Sequence, residues 1–258
     1  MLIKNLKKIK DDIKEYHSKE CISASGLKQI FQKNCSVYHY LNKEQFKSKA
    51  MSLGIATHIL LYEGLDNFSK EYFVLPKLDL RKKDDKLLKE SLMNKNIGKS
   101  PISNDDYKII LGIYENHQKN DLSLKYSKGD IEVSHYGTYN NIEVRVRPDC
   151  MTKDWISDVK TCQDASPKAF KRDLYKYSYH LQAVFYSQML GYNPKNFRFI
   201  ACETQYPYQV QVYSMSDEMI EYGENAWKKA FEYWELYINE NIVTSFQGEY
   251  ADDKSIIL

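Results

Sequence analysis

Ile142-Glu143-Val144-Arg145-Val146-Arg147 alternates apolar and charged residues and runs directly into Pro148-Asp149. Such alternation is the pattern of a β-strand, with Ile142, Val144 and Val146 on one face and Glu143, Arg145, Arg147 and Asp149 on the other. Trp155 to Thr161 reads as the next strand. If Lys153-Asp154 forms a two-residue turn, Thr152 pairs with Trp155 and Asp149 falls opposite Asp158. Directly paired residues point to the same face with Cβ atoms about 4.5–5.5 Å apart. Lys160, two residues beyond Asp158, points the same way. Two facing carboxylates repel, so a cation between them is favoured. Mg²⁺ suits the place, because it takes oxygen ligands and is often held by one or two carboxylates plus a substrate phosphate. A metal there can polarise a phosphoryl oxygen and lower the pKa of a bound water. A lysine beside it is suited to orient that water or to stabilise the charge of the phosphorane. The chemistry implied is phosphodiester hydrolysis.

The spacing alone is weak evidence. Pro148-Asp149, eight residues, then Asp158-Val159-Lys160 is a pattern that chance supplies about three times per chain over about ten spacings. Two further groups sharpen it. Gln182 and Tyr186 stand one helical turn apart as Q-x-x-x-Y, found by chance only about 0.03 times in the window that follows the signature. Gly54 and His58 form a G-x-x-x-H inside an apolar helix, with a chance rate of about 0.2. All three coincide by accident about 0.02 times per chain.

The elements that must position these residues follow from periodicity. Leu2, Ile3, Leu6, Ile9 and Ile13 follow helical spacing, so the first segment is expected to be a helix. A second helix opens at Ser23-Ala24-Ser25, and a third covers Phe46 to Glu63 with Gly64 as its stop. The charged stretch of about 75–103 reads as a loop and a mobile helix, followed by a helix over 104–118. From Asp130 the period becomes alternating, giving strands from Ile131 to Tyr136, Ile142 to Arg147 and Trp155 to Thr161. Ser166-Pro167 is a helix start, and the helix from Tyr179 ends at Gly191. Strands over Phe197–Glu203 and Gln209–Tyr213 precede an acidic helix from Asp217 to about Asn241. The expected fold is α/β, a central mixed sheet flanked by helices with an N-terminal helical extension. A mainly helical part over 1–125, an α/β core over 126–216 and a C-terminal helix and tail over 217–258 make one domain.

Composition limits the function classes. The 37 Lys+Arg against 35 Asp+Glu give a net charge of +2. That argues against a surface coated in positive charge but leaves room for a local basic stripe beside a metal site. Only five residues are arginine, and Arg145 and Arg147 share one strand. Five scattered cysteines without a C-x-x-C pair suggest reduced thiols and exclude a zinc ribbon or an iron–sulfur ligand set. No apolar run suits a membrane span or a signal peptide, so a cytoplasmic protein with no membrane partner is expected.

Read together, Asp149 through Asp158-Val159-Lys160 resembles the PD-(D/E)xK nuclease signature. With His58 and the Gln182/Tyr186 pair it resembles the RecB-type branch of that superfamily. Gly54 to Glu63, Arg145 to Asp149 with Asp158 to Thr161, and Tyr179 to Tyr186 are similar to segments of RecE-type exonucleases (exodeoxyribonuclease VIII). The resemblance covers about residues 15–240 and is poorest over 75–125. It implies a nuclease core that digests linear double-stranded DNA from its ends, 5′ to 3′, in phage-type recombination. It further implies that His58, Asp149, Asp158 and the Val159 carbonyl bind Mg²⁺ (or Mn²⁺ in its place) and that Lys160 completes catalysis. Gln182 and Tyr186 would hold the site and the DNA strand. More distantly, Ser23-Ala24-Ser25 resembles a helix start in phage lambda exonuclease that contacts a phosphate, which brings in Ser25. The family works as ring-shaped oligomers and beside a single-strand-annealing protein.

Plainer readings compete at each position. His58 alone would be a satisfied core histidine, and Asp149, Asp158 and Lys160 a cross-strand ion pair. Gln182 and Tyr186 could be helix surface and core, and Ser25 an N-cap. Arg145 and Arg147 divide between a solvated strand face and contacts with DNA phosphates. Glu132 and Glu203 lie on strands of the same core, and either could add a ligand. At the level of function, the alternatives are a restriction or repair endonuclease of the same superfamily and a nuclease fold that only binds DNA.

Overall fold

The structure is a computed structural model that describes residues 3–35, 38, 49–242, 249–250 and 256–257. Two mixed sheets occupy its centre. One has the order β1-β6-β7-β2, built from β1 (Lys4–Ile9), β2 (Ile22–Ser23), β6 (Ser134–Tyr139) and β7 (Ile142–Val146). The other has the order β11-β10-β9-β8-β5, built from β5 (Asp130–Ile131), β8 (Cys150–Met151), β9 (Ile156–Cys162), β10 (Phe197–Glu203) and β11 (Val210–Tyr213). A short parallel pair, β3 (Tyr72–Leu75) with β4 (Ser100–Ser103), lies apart from both, as does the pair β12 (Glu249–Tyr250) with β13 (Ile256–Ile257).

Strands β9 and β10 run parallel, so the chain must cross over between them. It does so through α7 (Pro167–Lys176) and α8 (Tyr179–Leu190), which begin at Pro167 and end at Gly191 with φ 81° as the sequence led one to expect. Helix α8 is almost wholly buried from His180 to Ser187, because α2 (Ala24–Gln32) and α9 (Asp217–Glu240) both pack against it. Their apolar faces meet the sheets in one core that contains Leu27, Ile30, Val144, Phe185, Phe199 and Trp227. On the opposite side of β9 and β10, Val159, Ile200 and Cys202 face Leu61 of α3 (Lys49–Glu71) and Ile113 of α5 (Asn104–Gln118). The alternation along β9 therefore sends Val159 toward α3 and α5, while Ile156 joins the core beneath α8. The remaining helices are α1 (Ile13–Ser18), α4 (Lys83–Lys95) and α6 (Asp121–Tyr126).

Two expectations are corrected. The first segment is the strand β1 and not a helix: it forms an antiparallel ladder with β6, and Lys8 pairs with Asp130 at 2.6 Å. A lysine-rich segment suits an exposed sheet edge, and the ladder satisfies backbone groups that a short, wholly exposed helix would leave to water. Gly64 (φ 78°, ψ 178°) interrupts the helix as expected, and a second helical segment follows it to Glu71. Within the charged stretch, β4 forms a parallel ladder with β3 that periodicity did not indicate. The expected start of the third helix at Phe46 and the segment over 243–248 lie outside the described residues. Among the described residues, no helix is long and apolar enough to cross a membrane.

Candidate active site

The β8–β9 hairpin has the register that the two-residue turn requires. Thr152 donates its amide to the Trp155 carbonyl at 2.9 Å, and Met151 pairs with Ile156 and Cys150 with Ser157. One step further, Asp149 stands opposite Asp158. The Val159 amide donates to Asp149 Oδ2 at 2.8 Å, which fixes the first carboxylate on the second strand. Asp158 is 1% exposed and its neighbour Lys160 is half-buried.

Each carboxylate has its own cation. Lys160 Nζ meets Asp158 Oδ2 and lies 4.8 Å from the centre of the Tyr179 ring. His58, delivered by α3, sets Nε2 3.2 Å from Asp149 Oδ2 and Nδ1 3.3 Å from Glu132 Oε1. Gln182 on α8 donates from Nε2 to Asp158 Oδ1 at 2.6 Å and accepts from Lys28 Nζ at 3.0 Å. Lys28, on α2, lies 5.5 Å from the same Tyr179 ring. The site therefore draws on five separate parts of the chain: α2, α3, the connection between β5 and β6, the β8–β9 hairpin and α8.

The electrostatics follow from burial and crowding. Burial, and then the charge of Asp149, raise the Asp158 pKa from its ordinary 3.8 to about 6, against the pull of Lys160 and Lys28. Burial also opposes ionisation of Asp149, but the His58 contact and Lys160 outweigh it and hold its pKa down. His58 is raised: burial works against its charge, and Asp149 and Glu132 overcome that. Lys28 is lowered to about 7 by burial and by the repulsion of Lys160.

The donor chemistry fits a hard divalent cation. Two carboxylates, an imidazole and the Val159 backbone lie together, and Asp158 Oδ2, buried, has the Lys160 ammonium against it. Among the described residues, however, no three His, Cys, Asp or Glu side chains form a closed cage. The carboxylates are turned to Lys160 and His58, which supply the positive charge that the pair requires.

The residues expected to hold DNA divide differently. Arg145 and Arg147 face neither solvent nor a surface open to phosphate, because α1 covers that face of β7. The Arg145 guanidinium, 7% exposed, stacks 4.8 Å from the Tyr16 ring centre and donates to the carbonyls of Tyr16 and Lys19. Arg147 donates to Asp11 at 3.1 Å and to Glu132 at 2.9 Å. Tyr186 is 7% exposed, and its hydroxyl bonds Tyr16 and the Arg147 backbone. The expectation that it reaches the DNA strand is corrected: it braces the core beneath β7. Gln182 likewise braces Asp158. The cap of α2 is Ser23, whose hydroxyl accepts from the Gly26 amide at 3.3 Å, so Ser25 is no N-cap and stands exposed in the first turn. Glu203 pairs with Cys162, four residues beyond Asp158, and is not part of the cluster.

Sequence reasoning missed Lys28, and it left Glu132 unplaced. Tyr179 was within reach, since it precedes Gln182 by three residues and so shares its helix face. Nothing in the sequence joins Lys28 to α8.

Comparison with known proteins agrees with this architecture. The family model described as "PDDEXK-like domain of unknown function (DUF3799)" matches residues 23–242. The fold is similar to the crystal structure of a "putative exonuclease" from Eubacterium rectale, with a TM-score of 0.63 and 16% sequence identity over 92% of this chain and 90% of that one. At that identity the likeness establishes the fold. No curated protein matches the sequence.

Proposed function

As the chain belongs to the PDDEXK-like family whose model spans residues 23–242, we propose that it is a magnesium-dependent exodeoxyribonuclease that degrades linear double-stranded DNA from its ends. The observation that carries this reading is the pair Asp149 and Asp158, opposed across one hairpin with Lys160 and His58 on their oxygens. The similar crystal structure, that of a "putative exonuclease", supports exonuclease over endonuclease.

His58, Asp149, Asp158 and the Val159 carbonyl would hold the metal, with Mn²⁺ able to replace Mg²⁺. Bound there, the ion supplies Lewis-acid polarisation of the phosphoryl oxygen and a more acidic water. Gln182 fixes the Asp158 carboxylate through its Oδ1, so the second carboxylate stays turned toward the first. Lys160 is held on the Tyr179 ring, from where its ammonium orients the attacking water and stabilises charge on the phosphorane. Lys28 adds a second positive charge beside it. Polarity from 5′ to 3′, a role in recombination beside a single-strand-annealing protein and a ring-shaped oligomer belong to the same proposal. They rest on the resemblance to RecE-type enzymes.

The test is a digestion time course on linear duplex labelled separately at its 5′ and 3′ ends, with covalently closed circular duplex beside it. Loss of the 5′ label first, with the circle intact, is expected. Cutting of the circle contradicts the exonuclease reading, and absence of cleavage with Mg²⁺ or Mn²⁺ contradicts the enzyme. Lys160→Ala should lower hydrolysis by at least about 100-fold while DNA binding persists. Full activity in that variant would sink the assignment.

A further inference from the structure

We propose that Glu132 is a positioning residue: its carboxylate accepts the Nδ1 proton of His58 and so leaves the Nε2 lone pair turned toward Asp149, free to bind a divalent cation. The inference rests on the nuclease reading above and adds a residue to it. A neutral imidazole carries one N–H and one lone pair, and which nitrogen keeps the proton is set by the acceptor opposite it. Metal-binding histidines regularly donate their second nitrogen to a carboxylate, which fixes both tautomer and ring orientation. Here His58 stands between two carboxylates, with Nδ1 3.3 Å from Glu132 and Nε2 3.2 Å from Asp149. Only the assignment that gives the proton to Glu132 keeps Nε2 open on the side of Asp149 and Asp158.

Glu132 is built to hold that position. Its second oxygen, Oε2, accepts from Arg147 Nη2 at 2.9 Å. Arg147 is itself anchored through Nη1 on Asp11 Oδ1 at 3.1 Å and Ser134 Oγ at 3.3 Å. One oxygen thus faces His58 and the other is held by Arg147, an arrangement that orients the carboxylate toward the ring. Its backbone is committed too. Glu132 adopts φ 49°, a left-handed conformation rare for a residue with a side chain, and its amide donates to the Asp149 carbonyl at 3.0 Å. Such a conformation persists where the surroundings impose it and is frequent at functional sites. One residue thus ties the backbone of Asp149 to the ring of His58, and the Tyr62 ring, 4.6 Å from the imidazole centre, packs against that ring.

The test compares the wild-type protein with Glu132→Ala and Glu132→Gln. Imidazole ¹⁵N spectra of the metal-free protein, at alkaline pH where the ring is neutral, should show His58 protonated on Nδ1. In Glu132→Ala the proton should move to Nε2, where Asp149 is the remaining acceptor, and Mn²⁺ affinity should fall about 10- to 100-fold. Glu132→Gln has a single acceptor oxygen for Arg147 and His58; with that oxygen on Arg147 its amide N–H meets Nδ1, so the proton should again move to Nε2 and the affinity fall as in Glu132→Ala. An Nε2–H tautomer in the wild-type protein overturns the inference, and that measurement stands even if Glu132→Ala does not fold. Wild-type affinity and tautomer in Glu132→Ala overturn it too. So does a Glu132→Gln variant with the wild-type tautomer and the full affinity loss, because that pattern makes Glu132 a direct ligand. A wild-type protein that binds no Mn²⁺ sinks the nuclease reading instead, while the tautomer of the metal-free protein still decides the inference.

Discussion

At the residue scale, the chemistry turns on two carboxylates that cannot both stay ionised side by side at no cost. Asp149 is ionised because His58 and Lys160 outweigh its burial, and Asp158, raised to about 6, takes the strain. Its folded pKa lies above the ordinary 3.8, so in the metal-free protein the protonated form stabilises the fold fully below pH 3.8. That contribution is lost as pH rises through about 6. A cation competes with this proton. The thermal stabilisation produced by Mn²⁺ should therefore be largest above pH 6 and fade as pH drops below it. Melting curves at several pH values check this, and a metal effect independent of pH between 5 and 8 refutes it. Lys28 holds the Asp158 pKa down, so Lys28→Ala should move the midpoint of that fading upward and lower hydrolysis. An unmoved midpoint would place Lys28 outside the electrostatics of the site. The site's signature residues, Asp149, Asp158, Lys160, His58 and Gln182, were legible because each sits at a spacing that one strand pair or one helix turn enforces. Lys28 was not legible, because its hydrogen bond with Gln182 spans 154 positions.

At the element scale, the position of Gln182 depends on how closely α9 approaches α8. Gly223 in α9 permits that approach: a Cβ there would lie 2.7 Å from the His180 carbonyl and 2.9 Å from Val184 Cγ2. Gly223→Ala should gain some helix propensity yet lose more by forcing the helices apart, a net cost of about 1–2 kcal/mol. Urea unfolding measures it, and an unchanged midpoint would show that α8 can shift without penalty. The strand β7 behaves differently. Its alternation correctly predicts a strand but points the charged face to solvent or DNA, because α1 is only six residues long and carries no signal that it covers β7. Once α1 places Tyr16 over both guanidinium groups, Arg145 and Arg147 become internal ties.

At the scale of the whole molecule, a net charge of +2 cannot steer a duplex by itself. With Arg145 and Arg147 engaged inside, the helix α7 offers Lys168, Lys171, Arg172 and Lys176 exposed to solvent, just ahead of Tyr179. If they meet the DNA backbone, duplex affinity falls with salt, and replacing Lys168, Lys171 and Lys176 with Ala should flatten the log–log slope by about 0.9 for each phosphate no longer neutralised. An unchanged slope would leave that helix as a solvated face.

Apart from the break at Glu132 that divides the expected strand Ile131 to Tyr136 between two sheets as β5 and β6, the sequence by itself determined the helices and most of the strands from Asp130 onward, the hairpin register and the family signature. These rest on interactions between near neighbours, such as alternation, turn length and helix caps, and proximity in sequence fixes them. Tertiary structure alone decided that the first segment is a strand, that β7's arginines are buried, and that Lys28 and Glu132 complete the cluster. Each of those outcomes depends on which distant backbone or carboxylate a residue meets, and the free energy that selects the meeting comes from packing the helices and sheets together.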